Sequence, residues 1–272
     1  MAETTYEKIH GTFAGITHEY GPKVHLSEDP YLITLLARLC SPKCVQPEFN
    51  RLITELYRQL IARVVGNELP LRRVEMPTRM KEVTPLGVYV GNVVEPATRA
   101  VVVDVARAGI LPGMVVFDAL NHVLEPEGVR QDHVVMSRTT DEKTGAVTGV
   151  TMSMSKIAGD AAGAILIVPD PMGATGGSIC AAVDLYKKEG MLPPGKVLLL
   201  NLIVTPQYLK RVTETHPEAE VYAIRLDRGM SPPDVLKEVA GARWDEENGL
   251  TDIQYIVPGG GGFGELMNNA YC

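Results

Sequence analysis

The stretch Ile165–Ser178, ILIVPDPMGATGGS, leaves a chain few ways to fold. An unbroken apolar run ends at a lone acid, Asp170; a turn of small residues follows, and ICAAVDLYKK continues in a helical pattern. A short apolar run bounded by such a turn reads as a strand buried on both faces, the kind found in a parallel sheet. The turn also carries chemistry. Thr175, Gly176, Gly177 and Ser178 bring backbone N–H groups to a helix N-terminus, where orphan donors and the positive end of the helix dipole favour an anion such as a 5-phosphate. Glycine permits that approach because a Cβ would hold the anion off. Asp170 can accept hydrogen bonds from vicinal hydroxyls, so the segment reads as a phosphosugar cradle. An ordinary strand–turn–helix junction, with Thr or Ser serving only as a cap, is the alternative. The acid directly after the strand weighs against it. A Walker loop is excluded, because Ser178 follows glycine and no Gly-Lys-Ser/Thr is present.

The same alternation extends to either side. Ala100–Val105, His133–Arg138, Ala164–Val168, Lys196–Val204 and Glu220–Arg225 read as strands. Gly113–Leu124, Ser178–Glu189 and Pro206–Thr215 read as helices, the last opened by proline in its first turn. Strands alternating with crossover helices predict an α/β fold with a mostly parallel sheet. Upstream, Pro47–Val65 places Phe49, Leu52, Ile53, Leu56, Leu60 and Val64 near one helical face, for packing on the core or on a partner subunit. Between Arg138 and Lys156 the chain is polar, β-branched and punctuated by Gly145 and Gly149, which predicts a mobile hairpin of the kind that serves as a lid.

Size and charge narrow the class. A chain of 272 residues buries one substantial core, or at most two. It has no apolar run long enough to span a bilayer and begins without the features of a signal peptide, so a cytoplasmic protein with no membrane contact is expected. Cys40, Cys44, Cys180 and Cys272 lack partner pairs at metal-binding spacing and read as reduced thiols. A net charge of −7 argues against a broad nucleic-acid surface, and Arg72 and Arg73 read as solvated.

Further constellations accompany the cradle. In VVVDVARAGILPGM, Arg107 sits on a small-residue turn at the sheet edge predicted for Asp170, where its planar fork suits phosphate oxygens. Two anion-type turns at one edge favour ligand binding across the carboxyl ends of the strands. Arg138, ending a strand, could reach a diphosphate leaving group when the hairpin closes; Lys156 could too, or stay a solvated loop charge. In the tail, YIVPGGGGFGE, Gly259, Gly261 and Gly264 satisfy G-x-G-x-x-G, but no crossover helix or acid follows at the spacing a dinucleotide site needs. A backbone-lined loop matching the donor and acceptor edge of a flat polar ring is the better reading, anchored by YIVP and Phe263.

These segments resemble the uracil phosphoribosyltransferases, members of the type I phosphoribosyltransferase fold. The likeness runs from about His25 to Glu265 and is carried by DPMGATGGS, YIVPGGGGFGE, the Arg-Ala-Gly at Arg107, Arg138 and Lys156. It implies a single domain over 1–272, with an N-terminal helical region and arm (1–95), an α/β core of mostly parallel sheet flanked by helices (96–225), a β-hairpin lid and a C-terminal base-binding hood (226–272). It also implies transfer of ribose 5-phosphate from phosphoribosyl diphosphate to uracil, giving UMP and diphosphate. Mg²⁺ would be carried mainly by the diphosphate, and the chain would form a homo-oligomer, a dimer or tetramer.

Carried over by position, Asp170, Pro171, Met172, Gly173 and Ala174, with Thr175, Gly176, Gly177 and Ser178, would hold the ribose hydroxyls and 5-phosphate. Arg107 and Arg138 would hold the diphosphate, and with Asp170 they are the expected catalytic groups. Ile256, Gly261, Gly262 and Phe263 would line the uracil pocket, largely through main-chain groups. Departure of diphosphate leaves an oxocarbenium-like ribose, so the task is geometry, charge stabilisation and exclusion of water rather than nucleophilic catalysis. The chain departs from the family at Gly262, where the first acid of a GDFGD-like tail is absent and Glu265 remains as the second, and at Gly173, which replaces leucine. Two alternatives stay open: transfer to another base, and a phosphoribosyl diphosphate-binding regulator without turnover.

Overall fold

The structure, a computed structural model, describes residues 5–140, 147–188 and 193–270, without the side chains of residues 137–150. In chain order its elements are β1 (Val24–Leu26), α1 (Pro30–Leu39), α2 (Glu48–Glu68), β2 (Leu71–Pro77), β3 (Val88–Val94), β4 (Ala100–Ala106), α3 (Ile110–Asn121), β5 (Val129–Thr140) and β6 (Val147–Lys156). They continue as β7 (Ile165–Pro169), β8 (Met172–Gly173), α4 (Gly177–Asp184), β9 (Lys196–Val204), α5 (Pro206–Thr215), β10 (Glu220–Leu226) and α6 (Phe263–Asn268). The main sheet runs β1-β10-β9-β7-β4-β5-β6, with β8 paired to β9. Its pairings are parallel except the last, β5 with β6.

Each central strand is apolar on both faces, and its side chains alternate between two cores. Ala100, Val102, Ile165, Ile167, Leu198 and Leu200 face α1, α2, α3 and α6. Val101, Val103, Leu166, Val168, Val197 and Leu199 face α4 and α5. The amphipathic face of α2 is spent inside the chain: Phe49, Ile53, Leu56, Leu60 and Val64 are fully buried against that first core. At about 1.5–3 kcal/mol for each such side chain, this burial fixes α2 on the sheet. Helix starts are set locally. Asp29 accepts from the N–H of Tyr31 and Leu32 before Pro30 opens α1, and Thr205 accepts from the N–H of Tyr208 before Pro206 opens α5.

Several expectations shift. The segment 138–156 is a hairpin, as predicted, and it belongs to the sheet: β6 pairs along β5 back to His133↔Lys156 and forms the sheet's antiparallel edge. Residues 141–146, the centre of the predicted lid, lie outside the described residues. Helix α3 starts at Ile110 rather than Gly113, because Pro112 sits in its first turn, where its missing N–H costs nothing. Helix α4 stops at Asp184, short of Glu189. The arm is a separate antiparallel pair, β2 with β3. Because the core pairings are parallel, β4, β7, β9 and β10 all end on one edge, and residues 107–109, 170–176, 205 and 227 gather there.

Candidate active site

At that edge β4 delivers Arg107 through a cis Ala106–Arg107 peptide. The Gly109 N–H donates to Val105 O at 2.9 Å, closing the turn. A Cβ on Gly109 would stand 2.7 Å from Val105 N and 3.2 Å from the Pro169 carbonyl, so only glycine lets the arginine turn abut the end of β7. The turns carrying Arg107 and Asp170 are therefore neighbours, as the sequence predicts.

Asp170 is pinned by its backbone. Its N–H donates to Leu200 O at 3.0 Å, and its carbonyl accepts from Asn201 Nδ2 at 2.6 Å. Asn201 Oδ1 in turn accepts from the Tyr208 hydroxyl at 2.9 Å, within the buried core. Burial first, and then the charge of Asp170, pushes the Tyr57 and Tyr208 hydroxyls well up.

The segment from 171 to 178 divides in two. Pro171 O accepts from Ile203 N–H, Gly173 O from Thr205 N–H, and Ala174 O from the Thr205 hydroxyl at 2.6 Å, so Pro171, Met172, Gly173 and Ala174 are built into the sheet edge. From Thr175 the chain turns through Gly176, at φ +77°, into α4. Gly177 and Ser178 are its first residues, and helix geometry leaves their N–H groups without intrahelical acceptors. A Cβ on Gly173 would lie 3.0 Å from the Tyr208 ring and from Val204 Cγ1. Tyr208 thus fills, from α5, the space next to a position where the related motif carries leucine.

The glycine tail is held by a pair that sequence reasoning missed. Arg225, at the end of β10, donates to both carboxylate oxygens of Asp227 at 2.6 and 2.7 Å, and to Gly259 O at 2.8 Å. Asp227, 1 % exposed, accepts from Gly259 N–H at 2.7 Å. The i, i+2 charges at a strand end were the available signal, but their target lies more than 30 positions along the chain. Gly259 and Gly261 adopt φ +61° and +85°, which glycine alone takes without strain. Ile256 is half-buried and bridges to Leu250. The Phe263 ring is buried edge-on against Phe49, centroids 5.2 Å apart, so main chain is all this residue can offer a ligand. Gln46, just before α2, and Asn50, in its first turn, donate to the carbonyls of Leu266 and Met267, fastening α6.

The tail lies on the arginine turn. Arg107 Nη1 donates to Ala270 O at 3.0 Å, and Nη2 stands 3.6 Å from Glu265 Oε1. A Cβ on Gly264 would be 3.7 Å from Ala108 Cβ. At Gly262, the Glu265 carboxylate occupies the volume a side chain would need. Arg138 lies on β5 opposite Val150, its side chain outside the described residues. Lys156 is exposed on the edge strand, opposite His133. Cys40, Cys44 and Cys180 are free thiols.

A parallel sheet with an arginine turn, an acid-led strand–turn–helix and a glycine tail at one edge has the architecture of a type I phosphoribosyltransferase. The family model for uracil phosphoribosyltransferase matches residues 26–269. The chain belongs to that family. The uracil phosphoribosyltransferase of Pediococcus pentosaceus is 28 % identical over 245 residues, covering 90 % of this chain and 97 % of the relative. That of a Thermoanaerobacter species (strain X514) is 31 % identical over 220 residues, covering 81 % and 85 %. Among solved structures, the AQ2163 protein from Aquifex aeolicus shares the fold, with a TM-score of 0.66 and 20 % identity over 90 % of this chain and 97 % of that one. No helix among the described residues is long and apolar enough to cross a membrane.

Proposed function

We propose that the protein transfers ribose 5-phosphate from phosphoribosyl diphosphate to uracil. The observation that carries this reading is the meeting, at one sheet edge, of Asp170, the open N-terminus of α4 and Arg107, beneath the glycine tail. In this reading Thr175, Gly176, Gly177 and Ser178 receive the 5-phosphate, and Asp170 takes the ribose hydroxyls. Arg107 and Arg138 take the diphosphate. Main chain at Ile256, Gly261, Gly262 and Phe263 meets the donor and acceptor edge of the base. Uracil N1 bonds to ribose C1 as the bond from C1 to the diphosphate oxygen breaks, and the N1 proton is released. Charge develops as a ribosyl cation and a diphosphate anion. The chain's contribution is a carboxylate on the cationic side and guanidinium on the anionic side.

Mg²⁺ suits the site as a cation brought in on the substrate. Asp170 is a single carboxylate rather than a cage, and Mg²⁺ is commonly held by one or two carboxylates together with phosphate oxygens and water. Bound there, it would neutralise charge on the leaving diphosphate. Among the described residues, His25, Glu68 and Glu220 are the group whose ligand atoms lie within 4.8 Å of one another. They sit at the opposite edge of the sheet, and Lys196 Nζ already occupies Glu68 at 2.5 Å.

We also infer a homo-oligomer. The face of α2 once available for a partner is buried within the chain, whereas the arm exposes Met76, Met80, Val83 and Leu86. Light scattering should show an assembly that Val83→Asp with Leu86→Asp reduces to monomers.

The direct test is UMP formation from uracil, phosphoribosyl diphosphate and Mg²⁺, with the Pediococcus enzyme as a positive control. No UMP alongside an active control would defeat the proposal. A panel of other bases in the same assay separates transfer to uracil from transfer elsewhere, and binding without turnover on any base would indicate a regulator.

A further inference from the structure

Glu265 touches both halves of the site, and neither contact follows from the roles given above. Its Oε1 stands 3.6 Å from Arg107 Nη2, and its Oε2 fills the place where a Cβ on Gly262 would lie. The backbone at 262 does not itself demand glycine: φ −81° and ψ 91° are open to any residue. What excludes a side chain there is the Glu265 carboxylate. The ion pair is half in solvent, its side chains 39 % and 35 % exposed, so it is weakly held and readily exchanged. A diphosphate brings more negative charge to the same guanidinium and can take two parallel N–H bonds from its planar fork.

We propose that Glu265 is a positioning residue that competes with the diphosphate of the substrate for Arg107. Glu265 parks the guanidinium and ties the glycine turn at 261–263 to the arginine turn; phosphoribosyl diphosphate displaces it. The inference rests on the reading of Arg107 as a diphosphate ligand. The second guanidinium nitrogen is engaged in the same way, since Nη1 donates to Ala270 O, so uptake of the diphosphate loosens the tail at two points. Glu265 therefore lowers affinity for phosphoribosyl diphosphate while it sets the turn that receives the base.

The sign of the first effect separates this role from a structural one. Calorimetric titration with phosphoribosyl diphosphate and Mg²⁺ should show Glu265→Gln binding about two- to five-fold tighter than wild type, the range expected from freeing one end of an exposed pair. The KM for uracil at saturating phosphoribosyl diphosphate should rise. Gly262→Ala ousts the carboxylate and should move both quantities in the same directions. Because both substitutions act through one contact, the double variant should add little to either single one. A residue that merely held the fold together would, on removal, weaken both substrates and lower the melting temperature. Unchanged or weaker phosphoribosyl diphosphate binding by a folded Glu265→Gln overturns the inference alone, as do fully additive effects in the double variant. A wild type that binds no phosphoribosyl diphosphate removes the functional reading and this inference with it.

Discussion

The cradle at 170–178 and the turns at 259–265, within the proposed hood, present backbone to the same sheet edge, but they are held there differently. In the cradle the determinants are neighbours in sequence: a strand end, an acid, a left-handed glycine and a helix start. In the hood, the turn at Gly259 is fixed by Arg225 and Asp227 from the end of β10, and the turn at 262–265 faces Arg107 from the end of β4. The comparison teaches that the proposed phosphate end takes its turn from neighbours in sequence and is tied to one adjacent strand end, through Leu200, Asn201 and Thr205. The proposed base end is a tertiary structure that needs two other strand ends to be in place. Substitutions in the hood's supports should therefore act on the base side and spare the phosphate side, and cradle substitutions should do the converse.

The largest effect belongs to the hood. Asp227→Ala removes the acceptor for Arg225 and for Gly259 N–H, leaving a partly buried guanidinium uncompensated. Breaking a pair of this kind costs on the order of 3 kcal/mol. Urea unfolding should show that loss, and the KM for uracil should rise steeply with phosphoribosyl diphosphate binding retained. Equal loss of both substrates would break the comparison, because it would make hood and cradle one cooperative unit. Next is Asp170→Asn, which keeps the side chain's shape and removes its charge. If the carboxylate acts on a ribosyl cation, kcat should fall about 100-fold with binding of phosphoribosyl diphosphate nearly unchanged. A fall confined to affinity would assign Asp170 to ground-state recognition instead.

The same contrast governs what the sequence could disclose. The parallel core was legible because strands buried on both faces are continuous apolar runs, and the junction at 165–178 was legible because turn and cap residues act on their own neighbours. The sheet edge shared by Arg107 and Asp170 followed from right placement of β4 and β7. Arg225 and Asp227 were not legible as tail anchors, since nothing in RLD names a glycine more than 30 residues on. The hairpin at 138–156 was legible, but its place as the edge of the main sheet was not. Its polar, glycine-bearing composition is that of an exposed strand as much as of a loop, and pairing with β5 decides between them. Gly262 looked like a lost acid, and only the fold brings Glu265 into its place.

Within the cradle, two glycines sharpen the contrast further. Gly173→Leu restores the residue the related motif carries, but its Cβ would already lie 3.0 Å from Tyr208 and Val204 in a buried spot. Overpacking of this kind costs about 1–3 kcal/mol, and a lowered melting temperature should be its main mark.

Gly176→Ala should have the smallest effect on folding and the more specific effect on function. A Cβ there meets nothing closer than 3.4 Å, from Arg211 Cδ, so space is not the obstacle. The obstacle is φ +77°, which costs an L-residue about 1–2 kcal/mol. The chain can relieve that strain by rotating the turn, and rotation swings the first N–H groups of α4 away from the place where the 5-phosphate is proposed to sit. Phosphoribosyl diphosphate affinity should fall about 10-fold, which is roughly the strain energy converted to binding, while the KM for uracil, measured at saturating phosphoribosyl diphosphate, stays near the wild-type value. A shift in the uracil KM of the same size would mean that the left-handed turn at 176 also sets the hood, and that the two ends of the site are not independently built.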